Sequence, residues 1–293
     1  MGAGTMGSGI AQVAAQSGFT TLLFDINIEI LEKAKTNIQK SLQSLVEKEK
    51  ITAEESIDIF QRIRFVNDIN QCIADIFIEA IVEKLEAKID IFNQIAAINS
   101  NEIILATNTS SLSVSAIQSG IINPQRVVGM HFFNPAPVMK LVEVVKGNQT
   151  ADTVAEKVYN LCRQFNKTPV LCKDAPGFIV NRVARHYYLE AMKMVEEGVA
   201  SFETVDTIME SVGFKMGPFK LMDLIGMDVN LAVSQSLYDA FDKEQRFKPS
   251  AIQKEKVAKG ELGRKTGKGF YDYPPSPKGE SFNDSAPLWK PIK

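Results

Sequence analysis

The chain has 293 residues, 45% of them hydrophobic and 23% charged, with a formal charge of −2. That length holds one large domain or two moderate ones, and the charge gives no reason to expect nucleic acid or an anionic membrane as partner. Three separated cysteines (Cys72, Cys162, Cys172) show no C-x-x-C spacing, no metal-ligand cluster stands out, and no apolar run reaches the roughly 18 residues of a membrane helix. A cytoplasmic protein without metal is expected.

Gly2, Gly4 and Gly7 match G-x-G-x-x-G, a dinucleotide-binding turn. In such a turn the first glycine permits the bend, and the second lets the backbone approach a pyrophosphate. The third lets helix and sheet pack closely. The motif ordinarily follows a hydrophobic strand, and only Met1 precedes it here, so a sheet lacking its first strand is expected. Residues 5–16 predict a helix stopped by Gly18, and residues 20–24 a buried strand ending at Asp25. Asp25 stands where a carboxylate takes the ribose hydroxyls of NAD, or it caps a turn. The order glycine turn, helix, strand and acid favours the ribose. No Arg between Ile26 and Glu32 would receive a 2′-phosphate, which favours NAD over NADP.

Helices follow over 28–50 and 53–62, strands over 64–66 and 76–80, a helix over 84–98 and a strand over 103–106. This alternation implies a Rossmann-type doubly wound parallel sheet, with ligands beyond the carboxyl ends of its strands. Asn108 and Ser110 lie at such an end, before a short helix over 113–119, as ligand contacts, a capped turn, or both. In residues 126–145 two β-rich runs flank a proline-rich turn. Folding them about Ala136–Pro137 brings Glu143 near His131. A histidine in a strand can be purely structural, but one oriented by a carboxylate beside a nicotinamide site is the arrangement of a general base.

A helix over 151–165 and a short strand over 168–172 lead to the break Asp174-Ala175-Pro176-Gly177. Beyond it only helices are expected, over 178–197, 202–212, 218–225, 227–241 and 250–259. The expected organisation is a Rossmann-type domain over 1–174, an all-helical domain over 175–273, and a polar, proline-rich tail over 274–293. Asn181, near the start of the first of these helices, is either a buried hydrogen-bonder or a substrate contact. The basic, glycine-rich stretch 260–269 is an ordinary loop or a flap that reaches a phosphate.

In combination these motifs resemble the L-3-hydroxyacyl-CoA dehydrogenase family, nearest its bacterial 3-hydroxybutyryl-CoA dehydrogenases. The resemblance rests on Gly-Ala-Gly-Thr-Met-Gly, Glu-Ala-Ile-Val-Glu, Ala-Thr-Asn-Thr-Ser-Ser, His-Phe-Phe-Asn-Pro, Pro-Gly-Phe-Ile-Val-Asn-Arg, Met-Gly-Pro-Phe and Lys-Thr-Gly-Lys-Gly-Phe-Tyr. It implies oxidation of an L-3-hydroxyacyl-CoA with NAD as hydride acceptor, or the reverse. It implies His131 as the catalytic base, Glu143 as its orienting acid, and Ser110 and Asn181 around the substrate oxygen. Gly2, Gly4, Gly7, Asp25, Glu83, Lys88, Asn108, Asn134 and Lys265 would serve the cofactor, Ser41 and Lys48 the CoA moiety, and the helical domain a homodimer. The family's chains carry a strand ahead of the glycine turn, which is the departure here. Two other readings stand beside this one: a dehydrogenase of related fold acting on a free 3-hydroxyacid, and a truncated, non-catalytic NAD-binding relative.

Overall fold

The computed structural model describes residues 1–274, in two compact units that divide between Phe178 and Ile179. The expected tail, beyond Pro274, lies outside the described residues.

The first unit opens with α1 (Thr5–Gln16) and β1 (Thr21–Phe24), then α2 (Ile28–Glu47), α3 (Ala53–Gln61) and β2 (Ile63–Val66). Asn27 starts α2 by accepting the Glu29 and Ile30 amides. Thr52 and Glu55 close a capping box on α3, which saves donors that would otherwise go unpaired. Leu31, Ala34, Ile38 and Leu42 recur at helical spacing and form the buried face of α2. That helix ends at Glu47, short of the expected residue 50, because Lys48 and the positive-φ Glu49 turn the chain away.

Next come β3 (Ile76–Glu79), α4 (Leu85–Ile98), β4 (Ile104–Thr107), α5 (Val114–Gln118), β5 (Val127–Phe132), β6 (Leu141–Lys146), α6 (Asp152–Gln164) and β7 (Thr168–Lys173). They build a sheet in the order β3-β4-β5-β6-β7, with β1 and β2 paired separately. All pairs are parallel except β5–β6, whose eight-residue connection is too short for a parallel crossover.

The inner strands β4, β5 and β6 are covered on both faces, so they are apolar almost throughout. Phe77, Leu105, Val127 and Val145 face Phe92, Ile95 and Ile117 of α4 and α5. The alternate residues Ile104, Ala106, Val128, Met130 and Val144 meet Ile10, Val13, Val154 and Val158 of α1 and α6.

Between β1 and β3, where the first strand was expected to be missing, Met1 and Gly2 span the opening. The Met1 nitrogen donates to the Ile78 carbonyl (2.7 Å), the Ala80 amide donates to the Met1 carbonyl (2.8 Å), and the Gly2 amide donates to the Phe24 carbonyl (2.9 Å). The glycine turn is thereby fixed to both sheets.

The second unit is helical: α7 (Val180–Glu196), α8 (Phe202–Ser211), α9 (Pro218–Ile225), α10 (Met227–Ala240) and α11 (Ala251–Ala258). Its core gathers Tyr188, Met192, Val205, Phe219, Met222, Met227 and Phe270. Asp223, fully buried, accepts the Phe270 and Tyr271 amides and the Tyr273 hydroxyl, which ties the segment after α11 to that core. Among the described residues no helix is long and apolar enough to cross a membrane.

Candidate active site

The glycine turn is shaped by close approach. Gly2 has φ +81°, and a Cβ there would lie 2.6 Å from the Ala80 carbonyl oxygen. A Cβ on Gly7 would lie 1.7 Å from the Gly2 carbonyl oxygen, a separation no side chain tolerates. Gly4 differs: a Cβ there would meet nothing within 4 Å. Gly4 is also the N-cap of α1 and offers no side-chain cap, so the first-turn amides and the positive end of the helix dipole remain for an anion. Asp25, at the end of β1, accepts the Ala3 amide (2.8 Å) and the Asn27 amide (2.9 Å), holding the glycine turn against the start of α2. These features fit a dinucleotide.

The loops after β3 and β4 are held together by charge. Lys88, on α4, is 1% exposed, and its ammonium lies 2.7 Å from Glu79 Oε1 and 3.1 Å from Glu83 Oε2. Glu79 is fully buried and also accepts the Ile81 amide and the Thr107 hydroxyl, each at 2.7 Å. Glu83 Oε1 accepts the Thr109 hydroxyl, the Ser110 amide (3.1 Å), the Ser111 amide (3.2 Å) and the Ser111 hydroxyl (3.0 Å). Burial opposes the charge on Glu83, but Lys88 and the Thr109 and Ser111 hydroxyls outweigh it, so its pKa falls below the ordinary value. Asn108 Oδ1 in turn accepts the Phe132 amide (2.8 Å), next to His131.

The antiparallel register sets His131 opposite Glu143, with Nδ1 and Oε2 2.8 Å apart. Both are buried, at 5% and 1% exposure. The imidazole also lies against the rings of Phe133 and Phe178, with centroids 4.5 and 5.6 Å away. The connection from β5 to β6 passes through a cis peptide at Asn134–Pro135, where Asn134 is exposed.

Of the remaining candidates, two lie on α2 or at its end and two on the other unit. Ser41 is half-buried on α2, and Lys48, its C-cap, is exposed two turns further along the same line of the helix. A cleft of about 600 Å³ between α2 and α3 is lined by Gln39, Gln43, Glu47, Ser56 and Phe60, and by neither Ser41 nor Lys48. On the second unit, Asn181 is half-buried in the first turn of α7, and Lys265 pairs with Asp228.

Sequence reasoning missed Glu79 and the depth of Lys88. The signals were present. Glu79 ends an apolar strand, where a charge needs a partner, and Lys88 shares a helical line with Leu85, Phe92 and Ile95.

Two family models match the chain. One is described as 3-hydroxyacyl-CoA dehydrogenase, NAD binding domain, over residues 1–175, and the other as 3-hydroxyacyl-CoA dehydrogenase, C-terminal domain, over residues 177–273. The chain is 50% identical to the 3-hydroxyadipyl-CoA dehydrogenase of Escherichia coli, over 93% of this chain but only 58% of that protein's length. It is 43% identical to the probable 3-hydroxybutyryl-CoA dehydrogenase of Deinococcus radiodurans, over 93% of this chain and 98% of that one. The crystal structure of (S)-3-hydroxybutyryl-CoA dehydrogenase from Ralstonia eutropha superposes with a TM-score of 0.89 at 40% identity, covering 93% of this chain and 97% of that one. The glycine turn, the split, mainly parallel sheet and the helical second unit are therefore those of a known lineage: the chain belongs to the 3-hydroxyacyl-CoA dehydrogenase family of NAD-dependent oxidoreductases.

Proposed function

We propose that the chain oxidises the 3-hydroxyl of an L-3-hydroxyacyl-CoA to the ketone, reversibly, with NAD rather than NADP as partner. The observation that carries this reading is the buried contact between His131 Nδ1 and Glu143 Oε2. With Nδ1 held by the carboxylate, Nε2 is the nitrogen that exchanges a proton with the substrate. In oxidation it takes the hydroxyl proton, and in reduction it returns one to the developing alkoxide. Glu143 fixes the ring and faces the imidazolium that forms when the ring takes the proton. The nicotinamide, when bound, supplies the hydride acceptor or donor.

Ser110 and Asn181 are assigned to the substrate oxygen by the family resemblance. On the same ground Gly2, Gly4, Gly7, Asp25, Glu83, Asn108, Asn134 and Lys265 are assigned to the cofactor, and Ser41 and Lys48 to CoA. The uncapped start of α1 and the open space at Gly4 support the cofactor assignment. The preference for NAD rests on the Asp25 carboxylate, which would repel a 2′-phosphate. Relatives named for 3-hydroxybutyryl-CoA and 3-hydroxyadipyl-CoA support a short or medium acyl chain carried on CoA. A cytoplasmic homodimer formed through the second unit completes the proposal. Exposed Val183, Ile208 and Val212 on that unit support the dimer.

The test is NADH consumption with acetoacetyl-CoA, a longer 3-ketoacyl-CoA and free acetoacetate. Turnover on the CoA esters well above that on the free acid is expected. Equal rates on the free acid would remove the CoA assignment.

A further inference from the structure

The first unit ends in a backbone conformation that one of its residues does not adopt by preference. Gly177 and Phe178 are both left-handed, at φ +72° and +50°. Glycine enters that region without cost, but a bulky side chain does so only where its surroundings enforce it. Several hydrogen bonds do the enforcing. The Phe178 amide donates to the Ala175 carbonyl (2.9 Å), and the Asp174 amide donates to the Lys146 carbonyl (2.9 Å) at the end of β6. Asp174 Oδ2 accepts the Ser113 hydroxyl (2.6 Å) and the Ser115 amide (2.7 Å) at the start of α5. The turn 174–178 is thus tied both to the strand of Glu143 and to the helix that follows Ser110.

This turn delivers an aromatic ring to the proposed base. Phe178 is 6% exposed, and its ring lies against the His131 imidazole with centroids 5.6 Å apart and planes inclined by 58°. Phe133 also covers the imidazole, but it follows His131 directly in the chain, whereas Phe178 comes from the far end of the unit. Glu143 holds the imidazole at one atom, Nδ1. A single hydrogen bond leaves the ring able to tilt, because the torsion that sets its plane is broad. Aiming Nε2 takes a second restraint, and an aromatic ring packed at a defined inclination supplies one.

We propose that Phe178 is a positioning residue for His131: the left-handed turn at the end of the first unit holds its ring against the imidazole and so fixes the direction in which Nε2 meets the substrate oxygen. This inference rests on the dehydrogenase reading above. It gives Phe178 a task that an aliphatic side chain does not perform, since such a chain fills volume without presenting a flat face.

The experiment compares wild type, Phe178→Leu and Phe178→Tyr as full-length protein, reading Tm together with kcat and KM for acetoacetyl-CoA and NADH. Leucine stays apolar but loses the ring. Tyrosine keeps the ring but brings a hydroxyl into the apolar cluster that Phe178 shares with Val114 and Val145. If filling space were the whole role, leucine would do better than tyrosine in stability and turnover alike. Positioning predicts opposite orders, with Tm higher in Phe178→Leu and kcat higher in Phe178→Tyr. Phe178→Leu is expected to lose at least about tenfold in kcat, since an ångström of misplacement costs up to roughly 100-fold. Phe178→Tyr is expected to exceed it in kcat by at least about threefold, with little change in either KM. An unchanged kcat in Phe178→Leu, a kcat that follows Tm across the two variants, or a loss confined to KM overturns the proposal.

If Phe178→Leu does not fold, Phe178→Met takes its place, because methionine fills irregular space without a ring. If Phe178→Tyr does not fold, Phe178→Leu is added to His131→Gln. A residue that acts only through the imidazole then has nothing left to position. No further loss of residual kcat is expected, and a second loss of the same size overturns the proposal. Wild-type protein that turns over no acetoacetyl-CoA would count against the dehydrogenase reading instead, so the two failures are distinguishable.

Discussion

Glu143 Oε2 lies 2.8 Å from His131 Nδ1, directly across the antiparallel β5–β6 ladder and almost out of reach of water. A carboxylate in that position fixes the ring and stabilises the cation that forms on it, whereas an amide of the same shape does only the first. Glu143→Gln is therefore expected to fold normally and bind NADH with little change, while kcat falls by about 100-fold or more. Stopped-flow or steady-state reduction of acetoacetyl-CoA, together with NADH fluorescence titration, separates the two effects. A kcat within threefold of wild type would remove the pair from the chemistry.

That pairing was legible because a short proline-rich turn fixes which residues of two flanking strands face each other. The alternation of helices and strands and the spacing of the three glycines exposed the first unit in the same way, through local chemistry with a fixed period. Lys88 was not legible as a buried residue, since a lysine in the first turn of a helix ordinarily sits in water. Only the partner carboxylates, contributed by Glu79 and Glu83, pull it inside. Lys167 gave less warning still. Its partners are the backbone carbonyls of Ala136 and Met139, which carry no side-chain identity to read. The antiparallel turn of β6 within the sheet was implied by the same proline-rich connection, but the separation of β1 and β2 depends on which strands meet across the opening at Met1.

Lys167 is 8% exposed, and its Nζ donates to the Ala136 carbonyl (2.5 Å) and the Met139 carbonyl (2.8 Å), pinning the loop that joins the strand of His131 to the strand of Glu143. Burial, assisted by the nearby Lys140 charge, lowers its pKa from 10.5 to about 8. The unfolded chain therefore binds more protons between those two values. This group's destabilisation is complete below pH 8 and is relieved as pH rises toward 10.5. Urea unfolding of wild type and Lys167→Met across pH 7.5 to 10 isolates the effect, because contributions common to both proteins cancel. Wild type is expected to gain stability relative to the variant as pH rises. A difference that stays flat across the range contradicts the burial argument.

In the second unit, Asp223 concentrates three donors on one buried carboxylate: the Phe270 amide (2.9 Å), the Tyr271 amide (3.0 Å) and the Tyr273 hydroxyl (2.9 Å). Asp223→Ala strands them, at a cost of about 3 kcal/mol or more. The loss falls first on the segment after α11, which depends on this carboxylate for its attachment. Limited proteolysis at a temperature where wild type resists is expected to cut the variant within residues 260–273 before the rest of the chain is attacked. A first cut elsewhere would mean that the segment is held by other contacts.

The glycine turn allows binding and folding to be separated. Gly7 has no room for a methyl group, so Gly7→Ala is expected to disrupt the turn and lower Tm and NADH affinity together. Gly4 has an ordinary φ of −66°, and a Cβ there meets no protein atom within 4 Å. By its folded structure alone, Gly4→Ala should leave Tm unchanged or raise it slightly, because alanine gives the unfolded chain less freedom to lose. If the space beside Gly4 is where a pyrophosphate approaches the backbone, the same methyl group excludes it. Gly4→Ala is thus expected to keep its Tm while its Kd for NADH weakens at least about tenfold, a cost of about 1.4 kcal/mol. Calorimetric unfolding paired with fluorescence titration reads both quantities on one preparation. Retained NADH affinity in Gly4→Ala would place the dinucleotide away from this turn, and a large fall in Tm would mean that Gly4 serves the fold rather than the ligand.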